Sequence, residues 1–372
     1  MSSPCRVLVL NERDPQHPKA GGAEIHVAEI FRRLAAQGYE ITLAASGFRD
    51  GAAVDEIDGM RVWRLGGIPT YYPRVAYTTF RETRKGNFDV VVECLNKVPF
   101  YSPVYSAAPV LAICHHLFGE VAFQQVPWPV AAAVWSTELL IPALYKRLPF
   151  VAISESSQAD LIKRGVDADW VRVSHCGIEP TEVVADTETP RKMRVSYVGR
   201  LEVYKNVDIM LRACAALTAR FPDLEIYVIG KGVARDSLES LAKELGIDDR
   251  THFTGFISNE ERDQLIAETR VCVCPSEKEG WGLTIIESNA LGTPVVATNA
   301  DGLRDSVRDG ETGYLVEHRN VEAFRDRIGE LLEDDALATE MSTRALAWSK
   351  TFDWDRAATE MAAAIDDARA GN

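Results

Sequence analysis

The segment PSEKEGWGLTIIESNALGTPVV, residues 275–296, carries two glutamates at a spacing that can do chemistry. Glu279 lies in a loop after an apolar run, and Glu287 follows in a predicted helix. A helix N-terminus attracts anions, whereas two carboxylates repel a phosphate, so we expect these glutamates to bind hydroxyl groups beside an anion. An ordinary helix start explains Glu279 as well, but not the two glycines around a tryptophan. The loop and helix start that would add contacts comprise Gly280, Trp281, Gly282, Leu283 and Thr284.

Two cations follow another predicted strand, in VGRLEVYKN at residues 198–206. Arg200 and Lys205 lie between a strand and a helix, where an arginine and a lysine can clamp a diphosphate. Two solvated surface cations would show the same spacing. The sequence therefore leaves a diphosphate clamp and a charged surface loop both open.

Two further loops offer backbone and imidazole groups. Gly21 and Gly22 precede the first predicted helix, so the chain can approach a phosphate there, and a tight turn is the alternative. This segment lacks the GxGxxG spacing of dinucleotide-binding folds. His115 ends a predicted strand in CHHLFGE, residues 114–120, where its ring either hydrogen-bonds a ligand oxygen or serves the structure alone.

These loops all follow apolar runs that alternate with amphipathic segments. Such alternation is typical of parallel sheets that are covered by helices on both faces. The first predicted helix spans residues 23–37, and its apolar positions include Ile25 and Phe31. The predicted strands are residues 6–10, 41–46, 89–94, 110–114, 150–154, 194–199, 225–230, 252–255, 271–276 and 294–298.

A polar stretch at residues 179–192 separates the two series of strands, and we place the domain boundary near 180–190. The sequence predicts an α/β protein of two facing, Rossmann-like, doubly wound domains with parallel sheets and a cleft between them. Ligands of open parallel sheets bind outside the carboxyl ends of the strands, which is where the four loops lie.

The composition is acidic, with 55 Asp and Glu against 41 Lys and Arg and a net charge of −14, so we expect no nucleic acid partner. The seven cysteines are scattered through mostly apolar runs and indicate a reducing, cytoplasmic location. Cys272 and Cys274 lack the spacing of a metal site, and two Asp-x-Asp patterns, at Asp167 and Asp353, look like turn and cap residues. No metal is therefore predicted, and no secretory signal or membrane-spanning run is visible.

Together the four loops resemble those of family 4 of the glycosyltransferases, which have the GT-B fold, over nearly the whole chain. The resemblance implies an acceptor-binding domain at residues 1–180, a nucleotide-sugar-binding domain at 190–352, and a final helix, 353–372, that crosses back to the first domain. Two positions depart from the family: His115-His116 is usually His-Asp, and GLRDSV at 302–307 replaces a Gly-Gly-x-x-Glu pattern.

By this resemblance, Glu279 holds hydroxyls of the transferred sugar, Glu287 holds the ribose, and His115 lies near the sugar. Arg200 and Lys205 bind the diphosphate and complete a catalytic set with His115 and Glu279. The other implied donor contacts are Gly21, Gly22, Gly255, Phe256, Gly280, Trp281, Gly282, Leu283 and Thr284, with the backbone of residues 254–258 against the nucleobase.

The resemblance further implies a retaining transferase that moves a hexose-type sugar from a UDP- or GDP-linked donor to a hydroxyl of a glycan, glycolipid or small molecule, in cell-surface polysaccharide or glycoconjugate biosynthesis. It needs no metal or other cofactor. We expect the cations and the helix start near Thr284 to stabilise the departing diphosphate. Since no nucleophile is apparent in the predicted cleft, we expect front-face attack with the donor phosphate accepting the acceptor proton.

Basic and aromatic residues of the first domain allow two interpretations. One is peripheral contact with anionic lipid at the inner membrane face, close to a lipid-linked acceptor. The other is a solvated helix face and two core tryptophans. The residues concerned are Arg74, Arg81, Arg84, Lys85, Trp128, Trp135, Lys146 and Arg147.

Three other functions stay open at this point. A nucleotide-sugar epimerase of the same fold would act without an acceptor. A dinucleotide-dependent oxidoreductase is disfavoured by the missing GxGxxG motif. A non-catalytic two-domain binding protein would need neither the cation pair nor the glutamate pair.

Overall fold

The apolar runs of the sequence form two parallel sheets, one in each of two units of the chain. The computed structural model describes residues 4–96, 98–117, 119, 128–184 and 191–371. Unit 1 contains the chain up to Gly177 and again from Asp353 onwards, and unit 2 runs from Ile178 to Phe352. The passage from unit 1 to unit 2 adjoins the polar stretch that begins at residue 179.

The sheet of unit 1 contains five of the predicted strands to within two residues of their bounds, and three strands that were not predicted. The strands are β1 (Arg6–Leu10), β2 (Glu40–Ala45), β3 (Val54–Ile57), β4 (Met60–Arg64), β5 (Val90–Leu95), β6 (Val110–Cys114), β7 (Phe150–Ala152) and β8 (Val171–Val173). Their order is β3-β4-β2-β1-β5-β6-β7-β8. All neighbours are parallel except β3 and β4, which form a hairpin at the edge.

Amphipathic helices cover this sheet. In the first, Val27, Ile30, Phe31 and Leu34 are buried, as a helical period requires. Ile25 is exposed, so its prediction as a core position is wrong. The helices that lie between the strands of unit 1 are α1 (Gly22–Ala36), α2 (Ile68–Arg84), α3 (Ser102–Tyr105), α4 (Trp128–Glu138), α5 (Ile141–Leu144) and α6 (Glu155–Lys163).

The sheet of unit 2 is parallel throughout. Its strands are β9 (Lys192–Val198), β10 (Glu225–Ile229), β11 (Thr251–Gly255), β12 (Thr269–Cys274), β13 (Val295–Thr298) and β14 (Gly313–Val316). They lie in the order β11-β10-β9-β12-β13-β14. Counted from the first strand of the unit, this is the 3-2-1-4-5-6 order of dinucleotide-binding folds, with its switch point between β9 and β12. The loops that leave these two strands are therefore where a ligand is expected.

The helices of unit 2 pack on both faces of its sheet, over a core that includes Val195, Val228, Val271 and Val296. Side chains cap several of their N-termini; Ser258, for example, accepts from the backbone N–H of Glu261 at 3.1 Å. These helices are α7 (Val207–Ala215), α8 (Arg235–Glu244), α9 (Asn259–Ala267), α10 (Leu283–Ala290), α11 (Leu303–Ser306), α12 (Val321–Glu333) and α13 (Asp335–Ser349).

The last helix, α14 (Trp354–Ala370), returns to unit 1 and packs beside α1. Asp353 caps it by accepting from the N–H of Asp355 at 2.9 Å. The point where the chain leaves unit 1 touches the point where it returns: a Cβ on Gly177 would lie 2.2 Å from the backbone nitrogen of Trp354. Only glycine fits at residue 177 for this reason.

Candidate active site

Two predicted site residues of unit 2 form an ion pair at the switch point of its sheet. Lys205 ends a short 3-10 turn, Val203–Lys205, between β9 and α7. Its Nζ pairs with Oε1 of Glu279, in the loop after β12. The two side chains are only 13% and 20% exposed. Because β9 and β12 are neighbours, the topology joins two residues that lie 74 positions apart in the sequence.

The loops that carry this pair are tied together by their backbones. The N–H of Glu277 donates to the carbonyl of Tyr204 at 3.1 Å. Asn206, in a left-handed conformation with a φ of 49°, donates from Nδ2 to the carbonyls of Tyr204 at 3.1 Å and of Pro275 at 3.4 Å. The cation and the carboxylate are therefore held by a shared framework of hydrogen bonds.

Arg200 lies in the same loop as Lys205 but is exposed. Its Nη2 donates to the hydroxyl of Tyr204 at 3.3 Å, and its carbonyl accepts from the hydroxyl of Tyr197 at 2.9 Å. The Lys205 ammonium lies 5.2 Å from the centre of the Tyr204 ring. The structure thus brings both predicted cations to one aromatic side chain.

Electrostatics keep this site charged. Burial alone would lower the pKa of the Lys205 ammonium, but the Glu279 carboxylate, with a smaller contribution from Tyr204, raises that pKa above its ordinary value. Lys205 is therefore a cation throughout the neutral pH range. It can serve as a fixed positive charge for a phosphate.

The predicted helix start is α10, with Gly282 at its N-cap. Gly282 has a φ of 83°, and a Cβ there would lie 3.0 Å from Oγ of Ser306. The first amides of α10, at Leu283 and Thr284, have no acceptor within the helix, as in any helical first turn. Next to the Lys205–Glu279 pair, the chain therefore offers backbone donors suited to an anion.

The side chain of Trp281 is buried, so the predicted donor contact at this position stays a prediction for its backbone. Its side chain is 2% exposed and packs edge-to-face on Phe352, with ring centres 5.1 Å apart. The tryptophan between two glycines is an anchor for the loop, and at this position only the backbone is left for a ligand. A Cβ on Gly302 would lie 2.4 Å from the carbonyl oxygen of Glu279, so a second close backbone contact fixes the same loop.

Glu287 lies on α10, next to a cation that was not predicted. Nη1 of Arg262, on α9, is 3.9 Å from Oε1 of Glu287, and Nη2 of Arg262 is 2.8 Å from Oδ1 of Asp263. Burial raises the pKa of Glu287, and Arg262 partly offsets this rise. Arg262 follows the predicted base-binding loop by a few residues, which is the only sequence signal that could have indicated it.

The predicted base-binding loop presents backbone and one exposed ring. Gly255 ends β11 with a φ of 72°, a conformation that favours glycine. Phe256 is 78% exposed, and Nζ of Lys231 lies 5.5 Å from its ring centre. Because the Phe256 ring points into solvent, it leaves the backbone of residues 254–258 accessible.

In unit 1, the two predicted glycines differ in what they can offer. The N–H of Gly21 donates to Oε2 of Glu24 at 2.7 Å, so this amide is already occupied. Gly22 is the first residue of α1 and keeps the position of a helix-start donor. Phosphate contacts of both glycines stay a prediction, and of the two backbone N–H groups only that of Gly21 already donates to a side chain.

His115 directly follows β6, as predicted, but its ring lies in the interior. It is 2% exposed, and Nε2 is 3.2 Å from Nδ1 of His26, on α1. The backbone of His115 is fixed as well: its N–H donates to Leu95 at 3.1 Å, and its carbonyl accepts from Oγ of Ser157 at 3.2 Å. His26 was not predicted, because it lies within an otherwise apolar helix face.

The described residues contain no group of three or more His, Cys, Asp or Glu side chains that could hold a metal ion. None of the seven cysteines forms a disulfide, and burial raises the pKa of Cys272 to about 12 and of Cys274 to about 11. Of the two Asp-x-Asp patterns, Asp353 is the helix cap described above, which confirms its interpretation. Asp167 pairs with Arg147 at 3.5 Å, ahead of a short 3-10 turn.

Most of the predicted lipid-facing residues lie on α2 and α4, whereas Lys85 follows α2, and Lys146 and Arg147 follow α5. Trp128 and Trp135 are 72% and 39% exposed, so their interpretation as core residues is wrong. On α2, Arg81 and the adjacent Lys85 both pair with Glu82, at 2.6 and 3.2 Å, which reduces the net positive charge of that helix. Over the described part of the chain, we find no helix with the length and apolarity that crossing a membrane requires.

Comparison with known proteins assigns both halves of the chain. Residues 20–182 match the model of Glycosyltransferase Family 4, and residues 183–348 match that of Glycosyl transferases group 1. A D-inositol 3-phosphate glycosyltransferase of Streptomyces scabiei is 27% identical over 96% of this chain and 90% of its own length. One of the same name from Corynebacterium urealyticum is 35% identical over 45% of this chain and 41% of its own.

Solved structures show the same fold. Sucrose-phosphate synthase of Thermosynechococcus elongatus aligns with a TM-score of 0.82 at 22% identity, covering 99% of this chain and all of that one. Anabaena Alr3699/HepE in complex with UDP-glucose aligns with a TM-score of 0.76 at 20% identity, covering 97% and 99%. With both halves matched, and with the strand order described above, the chain belongs to family 4 of the glycosyltransferases and is a nucleotide-sugar-dependent glycosyltransferase of the GT-B fold.

Proposed function

We propose that this protein transfers a hexose from a UDP- or GDP-linked donor to a hydroxyl of its acceptor, with retention of the anomeric configuration. The observation that carries this proposal is the Lys205–Glu279 pair at the switch point of the unit 2 sheet, beside the N-terminus of α10. A cation and helix amides suit a diphosphate, and a carboxylate suits the hydroxyls of a sugar.

In the proposed reaction, the bond between the anomeric carbon and the diphosphate oxygen breaks, and the acceptor oxygen forms its bond on the same face. The acceptor proton passes to an oxygen of the departing diphosphate, so the products are the glycoside and a nucleoside diphosphate. Arg200, Lys205 and the first amides of α10 stabilise the developing negative charge. When the donor binds, the Glu279 carboxylate exchanges its contact with Lys205 for hydrogen bonds to hydroxyls of the sugar. None of these steps requires a metal.

For the acceptor, we propose a hydroxyl-bearing sugar, polyol or glycolipid headgroup. D-inositol 3-phosphate is the first acceptor to test, because relatives that align with nearly the whole chain carry it in their names. A role in cell-surface glycoconjugate synthesis is supported by the similarity to WaaG, a glycosyltransferase involved in lipopolysaccharide biosynthesis, at a TM-score of 0.77 and 17% identity. A cytoplasmic location is part of this proposal, because none of the seven cysteines forms a disulfide.

The test measures thermal shifts with UDP-, GDP- and ADP-linked sugars in the presence of EDTA. A ligand that binds only the folded state raises the melting temperature. We expect one nucleotide series to raise it, and Arg200→Ala to abolish that shift while Arg325→Ala, an arginine on α12, retains it. Nucleoside diphosphate release that requires an acceptor would exclude an epimerase and a binding protein. A shift with a nicotinamide dinucleotide alone would overturn the proposal.

We also propose that unit 1 contacts an anionic membrane surface through α4 and α5. Besides the two exposed tryptophans, this segment exposes Leu139, Leu140 and Leu144. Tryptophan and leucine on a surface helix insert readily at a lipid interface. Sedimentation with phosphatidylglycerol vesicles should remove the wild type from solution, and Trp128→Ser should weaken this at least several-fold. Equal binding of both proteins would contradict the contact.

A further inference from the structure

Unit 2 contains a cavity that the proposed reaction leaves unexplained. Its volume is about 510 Å³, which is within the range of small-molecule sites in proteins. It lies between the N-terminal turns of α7 and α8 and the start of α12, and all of its lining residues belong to unit 2. None of the residues assigned to the donor lines it, so the cavity is distinct from the candidate active site.

Two arginines supply the positive charge of this cavity. Arg319 precedes the N-cap of α12, and its guanidinium has no hydrogen-bond or ion-pair partner within the described part of the chain. Arg212, on α7, approaches Asp208 with 3.9 Å between Nε and Oδ2, and both side chains are nearly half exposed, so this pair is weak. Guanidinium groups bind phosphate through paired N–H donors, and Arg319 is the group here that is left to do so.

The other polar side chains of the cavity favour hydroxyl groups over a second anion. Glu202 and Asp208 carry carboxylates, which accept hydrogen bonds and repel negative charge. Ser237, in the first turn of α8, donates from Oγ to the carbonyl of Ala234 at 2.8 Å, which leaves this oxygen as an acceptor. A ligand with one phosphate and several hydroxyls therefore matches the lining.

Apolar side chains complete the lining. Ile209 and Leu238 are 3% and 5% exposed, whereas Val203 is 73% exposed. Aliphatic side chains of this kind pack well against the C–H groups of a sugar ring. Among the described residues that line the cavity, none is aromatic, so a nucleobase would find no ring on which to stack. The lining thus favours a phosphorylated sugar over a nucleotide.

The cavity shares a loop with the candidate active site. Val203 begins the 3-10 turn that Lys205 ends. Asn206, which also lines the cavity, donates to the carbonyls of Tyr204 and Pro275. A ligand in the cavity would therefore contact the same backbone framework that holds the Lys205–Glu279 pair.

We propose that this cavity is a regulatory site for a phosphorylated sugar. Arg319 binds the phosphate, the carboxylates accept from sugar hydroxyls, and the bound ligand holds residues 200–206 in the conformation that binds a diphosphate. The effect on the diphosphate rests on the proposed function, whereas binding of the sugar phosphate does not. Because coupling between two sites is reciprocal, the nucleoside diphosphate should also strengthen binding of the sugar phosphate.

Calorimetric titration of the full chain tests the site, with glucose 6-phosphate, mannose 6-phosphate and fructose 6-phosphate as probes. We expect at least one of them to bind about tenfold more tightly than glucose or inorganic phosphate alone. Arg319→Asn should weaken that binding about tenfold, because a charge-assisted hydrogen bond is lost. Asparagine tolerates the φ of 59° at residue 319, so the backbone is kept. Arg325→Asn, outside the cavity, is the matched control and should bind like the wild type.

Titration of UDP and GDP with and without the sugar phosphate tests the coupling. The nucleotide that binds should do so about fivefold more tightly when the sugar phosphate is saturating. Arg319→Asn should lose this gain, while its affinity for the nucleotide alone stays within about twofold of the wild type. Lys205→Ala should weaken binding of the nucleotide but not of the sugar phosphate.

Four results would overturn the inference: no binding of any hexose phosphate, equal binding of inorganic phosphate, binding that Arg319→Asn leaves intact, or a nucleotide affinity that the sugar phosphate does not change. Loss of hexose phosphate binding in Lys205→Ala would place the probe in the donor site and has the same consequence. If neither UDP nor GDP binds the wild type, the proposed function fails and the regulatory role fails with it. The hexose phosphate titrations still decide in that case whether the cavity is a binding site.

Discussion

The two units present opposite kinds of site. In unit 2, the side chains of the candidate site are charged: Lys205 pairs with Glu279, and Arg262, which was not predicted, approaches Glu287. In unit 1, the central side chains are two neutral histidines, buried and bonded to each other. The site of unit 2 therefore contains ion pairs, whereas the buried polar site of unit 1 contains only neutral side chains.

The largest expected effect of a single substitution lies at the charged site. Lys205→Ala should lower kcat for nucleoside diphosphate release about 100-fold, because one preorganised charge opposite the leaving group is lost. Lys243→Ala, an exposed lysine on α8, is the matched control and should retain the wild-type rate. Steady-state kinetics with the preferred donor provide the measurement. A loss of less than about threefold would remove Lys205 from the proposed mechanism.

The neutral histidines of unit 1 should instead make the free energy of unfolding of that unit depend on pH. The pKa of His26 is lowered from 6.5 to about 4, so the unfolded chain binds a proton that the folded chain excludes. The stability of unit 1 is thus complete above pH 6.5 and decreases as the pH falls towards 4. Between these values, the wild type should lose about 3 kcal/mol more than His26→Asn.

Hydrogen exchange of peptides from unit 1 would measure this difference as free energies of opening. Peptides from unit 2 are the internal control, because the substitution lies outside that unit. If the two proteins show parallel pH profiles in unit 1, the histidine pair does not exclude protons, and the contrast between the units is lost.

A smaller effect is expected at Glu287, the carboxylate that is predicted to bind the ribose. Glu287→Gln should weaken binding of the nucleoside diphosphate about tenfold, since a charged acceptor of hydrogen bonds becomes a neutral one. Calorimetric titration would give the dissociation constant, with Glu322→Gln on the exposed side of α12 as the control. An unchanged constant would show that Arg262 and Glu287 only stabilise unit 2.

The smallest effect should come from Phe256. Its exposed ring makes Phe256→Ala nearly neutral, within about 0.5 kcal/mol in the free energy of unfolding. The adjacent Gly255→Ala should cost about 1–2 kcal/mol, because its φ of 72° is unfavourable for alanine. Chemical denaturation compares the two. A larger effect at Phe256 would show that this side chain, and not only the loop backbone, matters.

Much of the fold was readable because parallel strands are continuous apolar runs that local sequence defines. The missed hairpin of β3 and β4 turns at Asp58 and Gly59, both with positive φ, and an Asp-Gly pair is a hairpin signal that could have revealed it. The three-residue strand β8 is too short to have a pattern of its own.

The site was predictable only in its parts. Arg200, Lys205 and Glu279 lie in the loops where the sequence placed them, and Glu287 lies in the predicted helix, but the Lys205–Glu279 contact depends on which strands become neighbours, and local sequence does not define that. The packing of the Trp281 ring on Phe352 could not be predicted, because the two residues lie 71 positions apart and local sequence does not show their contact. His26 was missed because a histidine in an apolar helix face resembles an ordinary core position.

The contact between Gly177 and Trp354 has a consequence for how the protein is made. A ribosome releases residues 1–177 first, yet unit 1 lacks α14 until all of unit 2 has been synthesised. Unit 2 is whole by Phe352 and is free to fold earlier, which reverses the usual order in which N-terminal domains finish first. During synthesis, Trp354 is thus among the last residues to reach unit 1, and the ring beside which it packs belongs to His26. The surroundings of the histidine pair are therefore completed only after unit 2 has been synthesised.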